Sequence, residues 1–203
     1  MKNLLSLIIF SSVFLYNCTD ENPVSIPSIE RGYFPLTQGS RWEYEIYTPN
    51  SNTGQDTAIS IDSVLYIEVI NKRKCSKIER LTTTDWNVYP STNKGLYTRR
   101  NDTVFYYNDE VYLVERVNAM WSHGPSGDNV KSKFDYSVTG KGLKHSVNNI
   151  LYNDVLRVHE IYTRTITSDT TSDTSIFETD IYYAKDIGLV ERGIMKLKSY
   201  SIK

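Results

Sequence analysis

The feature that most constrains the fold is an alternation of apolar and polar residues over long stretches of the chain. In residues 41–47, Trp42, Tyr44 and Ile46 alternate with arginine and glutamate, and residues 58–70 continue the same period over a longer run. Successive side chains of a strand point to opposite faces, so this pattern predicts strands with one buried and one solvated face. Sheets of that kind are typically antiparallel. The length of the second run also predicts a bulge or a strongly curved strand.

The middle of the chain predicts a compact meander. Strand-like runs at 96–100, 103–107 and 110–117 are separated by two Asn-Asp pairs, at 101–102 and 108–109. Asparagine and aspartate tolerate the left-handed backbone that two-residue hairpin turns need.

Residues 118–149 alternate less regularly. Their composition predicts a loop at 123–128, a short strand at 133–138, a break at the glycines of 140–142 and a weak helical turn at 146–151.

The last third returns to long strands. Residues 152–167 are predicted to pair with 176–185 across a polar repeat at 168–175, and a turn at 186–188 leads into a strand over 189–202. Sixteen tyrosines and many threonines, valines and isoleucines also favour strands. We therefore predict an all-β fold with one antiparallel, strongly curved sheet that closes toward a barrel or sandwich, preceded by a signal-peptide helix.

The start of the chain predicts export and a lipid anchor. Lys2 precedes an uncharged apolar run at 4–16, which is shorter than the ~20 residues of a membrane-spanning helix but fits the ~7–15 residues of a secretory signal. The run ends just before Cys18, which predicts cleavage there and lipid attachment to the cysteine. The predicted organisation is a lipoprotein signal peptide at 1–17, a flexible polar tether at 18–31 and a single β domain at 32–203.

Charge and the two cysteines restrict the function further. The formal net charge of −1 gives no electrostatic case for a nucleic-acid partner. If Cys18 carries lipid, Cys75 has no intramolecular partner and is interpreted as a structural thiol.

The sequence predicts no catalytic residue, no metal site and no cofactor. His123, His145 and His159 do not form HxH or HExxH spacings, and no CxxC, GxSxG, Walker or GxGxxG motif is present. The acidic and threonine-rich run at 169–174 lacks calcium-loop spacing and is interpreted as a solvated hairpin tip. We predict that the protein is not an enzyme, with a hydrolase as the weakest of three hypotheses.

Aromatic residues near loop-like segments are the predicted ligand contacts. Trp86, Tyr89, Tyr97 and Trp121 could stack on sugar rings, or they could cap the ends of the sheet. A sheet with a hollow apolar interior could instead hold a lipid. The expected partners are the membrane, through the anchor, and a glycan, lipid or protein ligand.

Two segments resemble the ends of a known group of domains. Residues 33–44 (YFPLTQGSRWEY) resemble an FPLxxGxxWxY opening, and residues 182–191 (YYAKDIGLVE) resemble a YYAxxIGLV close. These motifs bracket the β domain of Bacteroidota-type lipoproteins of uncharacterised function. The resemblance implies a β domain tethered by lipid to the cell envelope, at the outer membrane and facing the periplasm or the cell surface, and it implies no catalytic residues.

The leading interpretation is therefore a non-catalytic, lipid-anchored envelope protein that binds a ligand or a partner. The alternative is a periplasmic carrier or sensor of lipid or lipoprotein, which requires an apolar cavity. Short motifs similar to Bacteroidota O-glycosylation sites also predict glycan on one or more of Thr57, Ser63, Thr103 and Thr170.

Overall fold

The computed structural model describes residues 32–50, 54–84, 87–106, 108–124, 130–168 and 171–203, with the backbone alone at 49–50, 54–56, 84 and 87–93. The predicted signal peptide and tether, with Cys18, lie outside the described residues. Within the described ranges no helix is long and apolar enough to cross a membrane.

The described residues form twelve strands in a single antiparallel sheet, which confirms the predicted fold class. The strands are β1 Arg41–Asn50, β2 Gly54–Ile70, β3 Arg73–Thr84, β4 Asn87–Arg100, β5 Thr103–Tyr106, β6 Val111–Val114, β7 Met120–His123, β8 Val130–Val147, β9 Ile150–Thr167, β10 Ser172–Ala184, β11 Gly188–Arg192 and β12 Met195–Ser201.

The sheet consists of two meanders that share one seam. Strands β1 to β6 follow one another on one side, β7 to β12 on the other, and β1 pairs with β12 between them. The connection at 115–119 joins the two outer edges: the Glu115 amide donates to the Asp102 carbonyl, and the Val138 amide donates to the Ala119 carbonyl. The sheet is thereby nearly closed into a barrel.

The predicted hairpin turns and the predicted bulge are confirmed. Asn101 and Asp109 have φ values of 55° and 68°, the left-handed conformation expected of Asn and Asp at such turns. In β2 the register shifts between Val64 and Tyr66, which bends this 17-residue strand.

The predictions for 118–149 were partly wrong. The glycines at 140–142 do not break the chain, because β8 runs through them with three register shifts. Glycine weakens a regular strand but suits a bulge, and the composition alone does not separate the two cases. The predicted helical turn at 146–151 is a hairpin turn at Asn148 and Asn149, both with positive φ.

Two further boundaries differ from the prediction. The single strand predicted at 189–202 is split into β11 and β12 by a turn at Gly193, which has a φ of 56°. Part of the predicted loop at 123–128 is also wrong, because β7 extends to His123.

The two motifs at the ends of the domain lie against each other. Trp42 and Tyr44 of β1 are both buried. The indole Nε1 of Trp42 donates to the Ile187 carbonyl, and a Cβ added to Gly188 would lie 3.3 Å from that same nitrogen. Gly188 therefore permits both the positive φ of the turn and the close approach of the tryptophan.

The segment 33–40 packs into one end of the sheet and fills it. Tyr33, Pro35 and Leu36 are buried, and the Leu36 carbonyl accepts a hydrogen bond from the Ser76 hydroxyl at 2.7 Å. A fully buried core of this kind excludes water from that end of the barrel.

An ion pair with both side chains 8% exposed holds this segment in place. The Arg99 guanidinium lies 2.8 Å from the Glu115 carboxylate and donates to the Phe34 carbonyl at 2.9 Å. The same carboxylate accepts a hydrogen bond from the Tyr33 amide at 2.9 Å. One buried pair therefore joins β4, the edge connection and the segment 33–40.

Replacing Glu115 by alanine is expected to lower the free energy of unfolding by about 2–3 kcal/mol, because it removes a buried carboxylate to which both the Arg99 guanidinium and the Tyr33 amide are hydrogen-bonded. Urea denaturation measures this loss. The control is Asp109→Asn, which removes an exposed carboxylate from its pairs with Arg73 and Arg100 and should leave the free energy of unfolding almost unchanged, because solvent screens exposed pairs. Equal losses in the two variants would contradict the assigned role of Glu115.

Candidate functional site

The inner face of the sheet surrounds a polar cavity with two lobes, here called the tyrosine cavity. The main lobe has a volume of about 250 Å³ and the second lobe about 160 Å³. Four residues line both lobes: Tyr106, Tyr112, Tyr183 and Arg192. The main lobe adds Tyr97, Asp62 and Arg80, and the second lobe adds Trp121, His123, Phe134 and Tyr136.

Three of the tyrosines form a cluster contributed by neighbouring strands of the first meander. Tyr97 of β4 is directly opposite Tyr106 of β5, and Tyr112 follows on β6. The three ring centroids are 5.1–5.3 Å apart. A Cβ added to Gly95 would lie 2.6 Å from the Tyr97 ring, so the absence of a side chain there lets that ring lie over the strand.

Burial keeps the tyrosine hydroxyls neutral. Desolvation is the largest cause that raises the pKa of Tyr106 to about 12, and it also raises the pKa of Tyr97, Tyr112 and Tyr183. A neutral phenol both donates and accepts hydrogen bonds. The cavity therefore offers several uncharged donor-acceptor groups at physiological pH.

Two ion pairs supply the charges of the cavity. Asp62 is directly opposite Arg80 on the adjacent strand and accepts two hydrogen bonds from its guanidinium, at 2.7 and 2.6 Å. This hydrogen bonding is the largest cause that raises the pKa of Arg80. Across the cavity, the Arg192 guanidinium donates to the Glu160 carboxylate at 2.6 Å.

The exposure of the two arginines shows that the cavity is accessible to solvent. The side chains of Arg80 and Arg192 are 37% and 39% exposed although both line the interior, whereas those of Asp62 and Glu160 are 11% and 7% exposed. Both guanidinium groups therefore face the cavity together with Asp62, whereas Glu160 is more deeply buried.

An aromatic row leads from the second lobe to the surface. Trp121 stacks on Tyr136 with centroids 5.2 Å apart. Beyond them, Phe134 stacks on Tyr162 at 4.7 Å, and Tyr162 stacks on Phe177 at 6.0 Å. Phe177 is 60% exposed, so the row crosses β7 to β10 and ends in solvent.

The structure brings two of the four predicted aromatic residues to this cavity. Tyr97 lines the main lobe and Trp121 the second, but both lie in strands rather than in loops. Tyr89 lies in β4 where the backbone alone is described, and Trp86 lies outside the described residues. Contact of these residues with a ligand stays a prediction.

Sequence reasoning missed most of the cavity lining. Tyr106, Tyr112 and Tyr183 fall in predicted strands, but no ligand contact was predicted for them or for Arg80. The available signal was their position in the alternation, because Arg80 is predicted to share a face with Ile78 in β3 and Tyr183 with Ile181 in β10, and both isoleucines are buried.

The histidines are distributed over three environments. His123 lines the second lobe, His145 stacks on Tyr182 at 3.7 Å, and His159 lies 3.0 Å from Asp180. His123 and His145 lie in β7 and β8, so their predicted loop placement was wrong. Across the part of the chain that the structure describes, no group of three or more His, Cys, Asp or Glu side chains is arranged to hold a metal ion.

Three of the four predicted glycosylation sites and Cys75 lie in described strands. Thr57, Ser63 and Thr103 are half-buried, and Thr170 falls outside the described residues. Cys75 is a free, buried thiol in β3, and burial is the largest cause that raises its pKa. This placement agrees with its interpretation as a structural thiol.

The lining also bears on the lipid-carrier hypothesis. That hypothesis requires a continuous apolar cavity, whereas the lining of this cavity includes several tyrosines, Asp62 and two arginines. Burying such groups against an acyl chain without hydrogen-bond partners would be costly. The observed lining therefore favours a polar ligand.

Comparison with solved structures identifies two proteins of the same fold. One, from Parabacteroides distasonis ATCC 8503, is described as a "putative lipoprotein"; it has a TM-score of 0.58 and 11% identity, over 84% of this chain and 99% of that chain. The other, from Bacteroides fragilis NCTC 9343, is described as a "putative exported protein with YmcC-like fold"; it has a TM-score of 0.50 and 10% identity, over 85% and 100% of the two chains. No protein-family model and no curated protein matches the sequence. At these identities the likeness shows the fold alone.

The raised pKa values predict a loss of stability in alkali. An unfolded tyrosine ionises near pH 10, whereas the cavity tyrosines ionise higher in the folded protein, Tyr106 at about 12. Their contribution is therefore complete below about pH 10 and is lost as the pH rises through the folded values. Near-ultraviolet absorbance of phenolate, followed together with circular dichroism, should show a late group of tyrosines that ionises as the sheet unfolds.

The matched variant is Tyr106→Phe, which removes one phenol from the late group and leaves the others in place. The absorbance change of the late step should be smaller by the contribution of one tyrosine. Ionisation of all tyrosines together near pH 10 with native circular dichroism would contradict the assignment.

Proposed function

We propose that this protein is a non-catalytic, lipid-anchored cell-envelope protein that binds a small polar ligand in the tyrosine cavity. The observation that carries the proposal is the cavity itself, with neutral hydroxyls and two guanidinium groups facing solvent-accessible space. A few convergent polar groups in a concave, partly aromatic site are the usual properties of a ligand pocket.

The arrangement of the acids supports a binding role rather than hydrolysis. Asp62 and Glu160 are the carboxylates of the two ion pairs, and each is already bound to an arginine. The ring of His123 lies among Tyr106, Phe134 and Tyr136, with centroids 5.1–6.5 Å away. The contacts of His123 are therefore with aromatic rings, which suits a packing role.

The envelope location rests on the start of the chain and on the fold. The apolar run at 4–16, which ends just before Cys18, supports export and lipid attachment. The two structural neighbours, described as a lipoprotein and an exported protein, are consistent with that assignment. We place the protein at the outer membrane, facing either the periplasm or the cell surface.

Replacing Cys18 by alanine tests the anchor. The variant should move from the membrane fraction to the soluble fraction and lose incorporation of labelled fatty acid, because the acylated thiol is removed. The matched control is Cys75→Ala, which should stay in the membrane fraction with its label. A Cys18→Ala protein that still incorporates the label would refute the assigned attachment site.

Native mass spectrometry of the full-length lipidated protein, taken from its own membranes, tests the cavity. Wild-type protein should carry a small bound molecule. Gly95→Leu should lose it, because a side chain at this position displaces the Tyr97 ring into the main lobe. The control is Lys94→Leu, at an exposed neighbour on the same strand. Wild-type protein without any bound molecule, or equal retention by both variants, would contradict the proposal.

A further inference from the structure

We propose that the tyrosine cavity recognises an uncharged sugar unit of a glycan. This inference rests on the proposed ligand-binding function and names the chemical class of the ligand. Three properties of the cavity carry it: its balanced charge, its alternation of hydroxyls with flat rings, and its aromatic exit.

The charge balance favours an uncharged ligand. Each arginine of the cavity is bound to its own carboxylate, Arg80 to Asp62 and Arg192 to Glu160. An anionic ligand would bring its charge close to both carboxylates and would have to compete with them for the guanidinium groups. A cationic ligand would meet two guanidinium groups, and the carboxylates that could attract it are each already paired with an arginine. An uncharged ligand avoids both penalties and can still accept hydrogen bonds from the exposed guanidinium nitrogens.

The tyrosine lining matches the surface of a sugar ring. A pyranose presents hydroxyl groups around its edge and C–H groups on its faces. The cluster of Tyr97, Tyr106 and Tyr112 presents phenol hydroxyls next to ring faces and edges, with tilted or edge-on rings at 5.1–5.3 Å. Tyrosine supplies both chemistries from one rigid side chain that loses little conformational entropy on binding.

The dimensions favour one sugar in the cavity and more outside it. The main lobe, at about 250 Å³, is slightly smaller than the roughly 300–1,000 Å³ of typical small-molecule pockets, and the second lobe adjoins it through shared residues. The aromatic row then leads from the second lobe to Phe177, which is 60% exposed. A glycan whose terminal sugar occupies the cavity could therefore extend along this row into solvent.

Binding of the full-length lipidated protein, held in nanodiscs, to an array of neutral and acidic oligosaccharides tests the inference. Neutral oligosaccharides should bind, and calorimetry with the strongest neutral oligosaccharide on the array should give one site per protein. Tyr106→Phe should weaken that binding about three- to tenfold, because it removes one hydroxyl and keeps the ring. Tyr66→Phe is the control, since Tyr66 is 40% exposed and does not line the cavity, and it should bind like wild type.

The outcomes separate this inference from the proposed function. Preferential binding of acidic oligosaccharides, or equal weakening by both tyrosine variants, would overturn the neutral-sugar assignment. If no oligosaccharide binds but native mass spectrometry finds another molecule that Gly95→Leu loses, the sugar inference fails and the proposed function stands. If neither measurement detects a ligand, both fail.

Discussion

The buried pair of Arg99 and Glu115 is the interaction on which the rest of the structure most depends. A curled sheet with two free edges would expose unpaired backbone groups and an unfilled end. This pair contributes to closing the edges and to filling the end. Glu115 begins the connection between the two edges, and its carboxylate binds the amide of Tyr33 in the segment that fills the end. A buried ion pair adds little net stability compared with apolar packing, so its value here lies in fixing where that segment enters.

The same closure explains why a cavity can persist above the core. The aliphatic core and the segment 33–40 form one buried cluster, and half-buried aromatics such as Tyr97, Tyr112 and Trp121 pack against it. The dry cluster stabilises the sheet by apolar burial, so the remaining interior does not have to be filled with aliphatic side chains. Large, rigid aromatic rings line that space instead. Each of the two arginines that face the cavity is paired with a carboxylate, so neither faces it as an unpaired charge.

Local sequence patterns predicted the strands and tight turns. They failed where the same local composition is compatible with more than one local structure. The alternation in β1 and β2 and the Asn-Asp turns depend on neighbouring residues, so they could be read directly. Gly140 and Gly142 were misread because a glycine fits a bulge as well as a break, and pairing with β9 decides between them. Tyr97 and Trp121 were selected because they lie in or beside loop-like segments; the structure places both in strands of the cavity wall.

By itself the sequence determined the class of fold and its antiparallel pairing, because both depend on the order and spacing of residues close together in the chain; lipid attachment at Cys18 stays a prediction of the same local kind. Only the tertiary structure decided which residues share the interior. Arg80 and Arg192 are far apart in sequence, and the curvature of the sheet brings both to one cavity. Trp42 and Gly188 meet through the β1–β12 seam in the same way. Such contacts follow from strand order and closure, which alternating polarity does not encode.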